Sequence, residues 1–345
     1  MASRGRLLIA AALVLQGCTH PARTLTPVPW ADPRNFSWTT DTLPPPAGGA
    51  LVMRSIWGSS ASDVYVAGRS DPPGAPLYHF DGAAWRPVAL PAGGGGTVAL
   101  TQVYGFSTTD IVAVGGVTSA SGERSLILHF DGTAWTPMST PGGGRINAVW
   151  GLPGGEMWAA GAPGTMFHYM SLVWLPAIIP DSSTCVSMTG ISPGDVYALM
   201  AGHGGGAPDT AYHALWHWNG GVWSVADSLV QAPGRADRFG TRAVWSLLAV
   251  LYTVGEGLFV RDETGWRVLV PPPGSGSLNA VNGAVNSSLF LVGDGSLVVQ
   301  VGPTDFYRYP LFTDPSINFT GAWTNQREAF IVGSDGRATY VLHGR

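Results

Sequence analysis

Charge is what this sequence has least of. Only 12% of its 345 residues are Asp, Glu, Lys or Arg, and the formal net charge is -4. A nucleic-acid surface needs a stripe of basic side chains to neutralise phosphates, and none is present, so nucleic acid is set aside as a partner. Helix-favouring Glu and Lys are scarce, while Gly (48) and Pro (27) are plentiful. That balance suits many short strands joined by tight turns and disfavours long helices. Cysteine occurs twice, at Cys18 and Cys185, too few for a disulfide framework.

The chain starts with a processing segment. Arg4 and Arg6 precede Leu7 to Leu15, an apolar run of nine residues that spans about 14 Å as a helix, short of a ~30 Å hydrocarbon core. Residues 1 to 17 therefore read as a signal peptide. Leu15-Gln16-Gly17-Cys18 resembles the bacterial lipobox, with a small residue before the cysteine and an apolar one at Leu15; Gln16 is the less usual choice. The resemblance implies cleavage before Cys18 and a lipid anchor on its thiol. Cys185, in Cys185-Val186-Ser187-Met188, would then have no partner, so no disulfide is expected, and it reads as a small buried apolar residue rather than a nucleophile. Residues 18 to 34, with Pro21, Pro27, Pro29 and Pro33, show no apolar alternation and read as a tether.

From residue 35 onward the chain repeats itself. Ile56-Trp57-Gly58 is followed by Asp63-Val64-Tyr65-Val66-Ala67-Gly68, Leu77-Tyr78-His79-Phe80-Asp81-Gly82 and Trp85; about 47 residues on, Val103-Tyr104-Gly105 leads to Asp110-Ile111-Val112-Ala113-Val114-Gly115, Leu128-His129-Phe130-Asp131-Gly132 and Trp135. A spacing near 40 residues with four short β-rich segments per unit is the mark of a propeller blade. We write the segments as strands A to D. Later units drift but stay legible: Trp150-Gly151, Trp158, His168 and Trp174 in the third, Asp195, His217 and Trp223 in the fourth, Trp245 and Trp266 in the fifth, Leu289 to Gly293 in the sixth, and Trp323 and His343 in the seventh, which ends without a strand D. The missing strand stands at the other end, where Trp38 to Pro44 aligns with Trp85 to Pro91. The expectation is an all-β chain: a single β-propeller of seven four-stranded blades over residues 35 to 345, its circle closed by an N-terminal strand that completes the last blade.

These motifs resemble the propeller-like lipoproteins common in myxobacteria and their relatives, which repeat Trp-Gly-Ser-Ser, Asp-Val-Trp-Ala-Val-Gly and Asp-Gly-x-x-Trp. The chain is similar in style to Kelch and Asp-box propellers as well, without the Asp-box order. The resemblance implies a fold and a location in the bacterial cell envelope, anchored most naturally at the outer membrane, on its periplasmic or external side. It implies no activity.

Residues that recur from blade to blade are expected to be framework. His79, His129, His168, His217 and His343 fall at one place on strand C, on different blades, and read as hydrogen-bonding within their own blade. Asp63, Asp110 and Asp195 precede strand B and read as turn formers. Asp81-Gly82 and Asp131-Gly132 read as hairpin turns, and the strand-D tryptophans as packing between sheets. No nucleophile-base set, metal-ligand spacing or phosphate-cradling loop stands out, so neither catalytic residues, metal nor cofactor is assigned.

What varies is expected to carry function. Strand A runs from one face to the other, so B-to-C and D-to-A connections share a face opposite the A-to-B and C-to-D turns. The long irregular connections, 69 to 75, 116 to 124, 201 to 213, 226 to 242 and 303 to 318, belong mostly to the first face. Scarce charge collects there: Arg69, Asp71, Glu123, Arg124, His203, Asp209, Asp227, Arg235, Asp237, Arg238 and Arg242. The expectation is a monomeric, lipid-anchored, non-catalytic module that binds a protein or glycan through this variable face, with the anchor on the opposite, scaffold side. The alternative is a carbohydrate-binding or carbohydrate-active propeller of the sialidase or lyase kind, which needs carboxylates converging at the channel mouth; Asp209, Asp227 and Asp237 are its candidates.

Overall fold

The computed structural model describes residues 31 to 345 apart from 92–94, 180–181, 204–210, 232–236, 248, 285–287 and 313. Cys18, Asp209 and Arg235 lie outside the described residues. The rest forms seven antiparallel sheets of four strands each, in consecutive order except where the first strand of the chain joins the last three. Trp38–Leu43 pairs along Thr339–Gly344, from Trp38 opposite Gly344 to Leu43 opposite Thr339. The circle therefore closes by the N-terminal strand, as its alignment with the strand-D repeats predicts.

Burial follows strand rank. Strands B are covered by neighbouring blades on both faces, and Met157–Gly161, Leu289–Gly293 and Ala329–Ser334 are buried at every position. This explains their unbroken apolar runs, where a one-sided strand would alternate. Strands D form the rim and are largely exposed, as in Trp85–Pro87 and Val173–Pro176. Pro87, Pro137 and Pro176 close three of these edges; a residue without an N–H discourages a further strand from pairing there.

The Trp-Gly pair at the end of strand A is an interlock between blades. A Cβ on Gly105 would lie 2.5 Å from the Trp57 ring, and one on Gly190 would lie 2.6 Å from Trp150. Each glycine thus leaves room for the indole of the preceding blade. Trp323 sits against Gly58 and Trp245 against Gly283 in the same way. Where the fourth and fifth blades carry Thr189 and Ser246 in place of the tryptophan and glycine, the two hydroxyls bond to each other at 2.8 Å.

The histidines and the acidic residues before strand B, which the sequence presents separately, form one device. His79 Nε2 donates to Asp63 at 2.7 Å, His129 to Asp110 at 2.9 Å, His168 to Glu156 at 3.0 Å, His217 to Asp195 at 2.7 Å and His343 to Glu328 at 2.6 Å. Four of the imidazoles also lie flat on the aromatic two residues after the acid: Tyr65, Trp158, Tyr197 and Phe330. The aspartates thus accept from histidine rather than from the turn amides expected of them. The Asp-Gly turns do behave as predicted: Asp81 Oδ1 accepts from the amides of Ala83 and Ala84, with Gly82 at φ +89°.

Several stretches that read as connections continue as strand. Asp63–Asp71 and Asp110–Ser119 run on past the blade body, and in the fourth blade Asp195–His203, Ala211–Trp218 and Trp223–Gln231 pair out to His203 opposite Ala211 and Ala211 opposite Gln231. Residues 303 to 318 divide into a C-to-D turn, the strand Phe306–Arg308 and a D-to-A connection, so only the last part belongs to the variable face.

Candidate functional site

The seven strands A line an axial channel with a volume of about 490 Å³. Six of them carry a β-bulge at the same rank, where one residue loses its partner on strand B. The residues skipped are Arg54, Thr101, Asn147, Val186, Asn279 and Thr320, and Arg242 holds the same rank in the fifth blade, just before Ala243–Leu247. A bulge kinks the strand and re-aims a side chain, and all seven of these residues line the channel. Three residues further on come Trp57, Tyr104, Trp150, Thr189, Trp245, Asn282 and Trp323, an aromatic-rich collar on the scaffold side.

Most of the polar ring is occupied in stitching blades together. Thr101 Oγ1 donates to the Ile146 carbonyl at 2.6 Å, Asn147 Nδ2 to that of Cys185 at 2.9 Å and Asn279 Nδ2 to that of Phe319 at 3.1 Å, each on the next blade. Two members stand outside this scheme. Thr320 Oγ1 is buried and has no hydrogen-bond partner among the described residues. Arg54 makes no ion pair with any described residue; its guanidinium reaches solvent through the mouth, yet surrounding protein lowers its pKa by desolvation, with repulsion from Arg69 and Arg145 adding to the shift.

The sequence-predicted residues fall into three groups. The first lies on blades one and two. Arg69 and Asp71 are exposed at the end of their strand B, and Glu123 takes a two-point hydrogen bond from Arg145, 2.8 and 3.2 Å, across to the third blade. Arg124 is exposed next to Glu123.

The second group lies between blades four and five and is structural. Asp227 accepts from Trp266 Nε1 at 3.0 Å and from Arg238 at 3.2 Å, tying the rims of the two blades. Gln231 donates to both oxygens of Asp237. Burial lowers the pKa of His213, against the pull of Asp237, and burial raises the pKa of Asp237. His203 ends its strand on the same side.

The third group is Arg242 alone, at the channel rim, bonded to Asn279 Oδ1 at 2.5 Å and paired with Glu256 at 3.4 Å and Asp294 at 3.7 Å. Among the described residues no carboxylate lines the channel. The convergence of acids that a sialidase-like or lyase reading requires is not found at Asp227 or Asp237, both of which are turned to neighbours in the wall.

Sequence reasoning missed Arg54, Arg145, Asn147, Asn279 and Thr320. One signal for Arg54 was available: it is the single charge inside the strand Ala50–Ser60. No lysine occurs anywhere in the chain, so every basic side chain at this face presents a planar guanidinium fork.

The fold and its axial channel define a seven-bladed, four-stranded β-propeller. No family model and no curated protein matches the chain. Among solved structures it is similar to YCF48 bound to D1 peptide, with a TM-score of 0.62 and 14% identity over 89% of this chain and 94% of that one. It is similar to the WD40 β-propeller domain of Doa1, with a TM-score of 0.58 and 12% identity over 89% and 97%. It also resembles the extracellular domain of a putative hybrid two-component system from B. thetaiotaomicron, with a TM-score of 0.58 and 11% identity over 84% of this chain and 38% of that one. At these identities the likeness is one of fold.

Proposed function

We propose that this chain is a lipid-anchored propeller of the bacterial cell envelope that holds a protein partner on its variable face and performs no chemistry of its own. The observation that carries the reading is a division of polar groups. Those that repeat from blade to blade are bonded inside the fold, whereas the channel mouth on the variable face presents Arg54 and Arg69 with no carboxylate paired to either among the described residues. Two proteins of similar fold support the reading: YCF48 has a structure with a D1 peptide bound, and the B. thetaiotaomicron structure is the extracellular domain of a two-component system.

The anchoring half of the proposal rests on the lipobox-like Leu15 to Cys18 and on the point of entry into the domain. Strand D runs from the scaffold face outward, so Trp38–Leu43 starts on the scaffold side, and a tether on Cys18 leaves the variable face pointing away from the membrane. Exchanging Cys18→Ala should move the protein from the membrane to the soluble fraction; retention in the membrane would contradict the anchor. For the partner, cross-linked capture from native envelopes compares the full chain with an Arg69→Glu, Glu123→Lys variant and with Arg86→Ala on the scaffold turn. Loss of the captured protein in the first variant alone is the expected result, and equal recovery from both would overturn the reading.

A further inference from the structure

The variable-face half of the channel has features that no bond within the fold explains. Arg54 occupies a bulge position in the strand Ala50–Ser60, where its side chain has no place in the sheet's own pairing and lines the channel. An arginine stays protonated at any physiological pH, so this is a permanent positive charge in a partly desolvated wall. Burial disfavours it, and the neighbouring arginines disfavour it further. No described carboxylate pairs with it, so its guanidinium fork stands open at the channel mouth to an anion from outside.

The surroundings fit an anion. Of the charged residues lining the channel, both are arginines, Arg54 and Arg242, and Arg242 is already paired with Glu256 and Asp294 at the rim. Arg69 stands one strand away, opposite Val52, with no ion pair among the described residues. Arg145 is held by Glu123. Next to Arg54 in the ring, on the seventh blade, is Thr320, whose hydroxyl is turned into the wall and adds no charge to the mouth. The volume of about 490 Å³ is that of a site for a small ligand or a single inserted side chain. The collar of Trp57, Trp150, Trp245 and Trp323 lines the scaffold side of the channel, so approach is from the variable face.

We propose that this half of the channel receives one carboxylate group, gripped by the Arg54 fork, and that the partner supplies it on an acidic segment. One unpaired guanidinium fork matches a planar monoanion in charge and shape better than a dianionic phosphate. Arg69, further out, adds long-range attraction that salt screens. The proposal rests on the variable face being the binding face and names the chemistry that face recognises.

Isothermal titration of the full chain tests it with a blocked tetraglutamate peptide, a blocked tetraglutamine peptide and free glutarate. Tetraglutamate is expected to bind saturably at one site, more weakly as salt rises, while tetraglutamine does not bind. Arg54→Gln should weaken tetraglutamate by at least about tenfold, the scale of a charge-assisted hydrogen bond lost, Arg54→Lys by less, and Arg86→Ala not at all. Equal affinity for glutarate would support the site with a free carboxylate as its source; preference for the peptide would support a segment of a partner. Absence of saturable binding by either carboxylate probe, or unchanged affinity in Arg54→Gln, would overturn the proposal. Because the envelope capture uses Arg69→Glu, Glu123→Lys and leaves Arg54 in place, loss of partner there together with failure here would sink the carboxylate site and leave the binding face standing. Thermal melting of Arg54→Gln guards against misfolding, and its midpoint should not fall.

Discussion

The two ends of the channel teach different lessons about the same seven strands. At the scaffold end, indoles lie on the next blade's glycine, and further out on strands B and C, away from the channel, imidazoles are bonded to an acid and stacked on an aromatic. At the variable end, three residues away on the strands that carry the indoles, the ring Arg54, Thr101, Asn147, Val186, Arg242, Asn279 and Thr320 keeps no one residue type from blade to blade. Symmetry accounts for the first set, because a residue needed at every blade junction recurs at every blade. It has no account of the second, and a charged side chain that breaks the repeat without an ion-pair partner among the described residues is where selection for something other than folding shows.

The comparison can be broken most sharply at the interlock. Trp150 is buried against the fourth blade, and Trp150→Ala should cost about 3–5 kcal/mol, the range for an aromatic removed from a core. Gly190→Ala attacks the same contact from the other side and should cost about 1–3 kcal/mol by overpacking. Urea unfolding monitored by far-UV circular dichroism measures both. A loss under half a kcal/mol in each would mean that the Trp-Gly pairs do not hold the blades together.

A smaller effect is expected at the variable face, between blades four and five. Burial lowers the pKa of His213 below its ordinary value of about 6.5. In the window between the lowered pKa and about 6.5 the unfolded chain binds more protons than the folded one, so stability rises with pH there and is lost on acidification. His213→Gln should flatten that part of the stability curve. A wild-type curve already flat between pH 5 and about 7 would show that His213 does not titrate as its burial demands.

Much of this was legible in the sequence. Blade number, the closing strand and the structural status of the repeated histidines follow from alignment of the units, because a contact made at every blade leaves a periodic trace. The pairing of His79 with Asp63 was not legible as such, since the two are 16 residues apart and each has a plausible local role alone. The channel ring was hidden for another reason. It depends on a bulge at Arg54 and its counterparts, and a bulge shifts the inward-facing alternation by one residue without any signature in composition. Charge clustering led instead to the loops, where Asp227 and Arg238 prove to be latches between blades.

The most direct test sets one residue of the repeated framework against one of the channel ring. Unfolding free energy and tetraglutamate affinity are measured for Asp195→Ala, which removes the acceptor of His217, and for Arg54→Gln. Asp195→Ala should lose about 1–2 kcal/mol, the worth of a partly exposed charge-assisted hydrogen bond, and keep its affinity. Arg54→Gln should keep its stability and lose at least about tenfold in affinity. Affinity lost through Asp195→Ala but kept in Arg54→Gln would place function in the repeated framework and contradict the account.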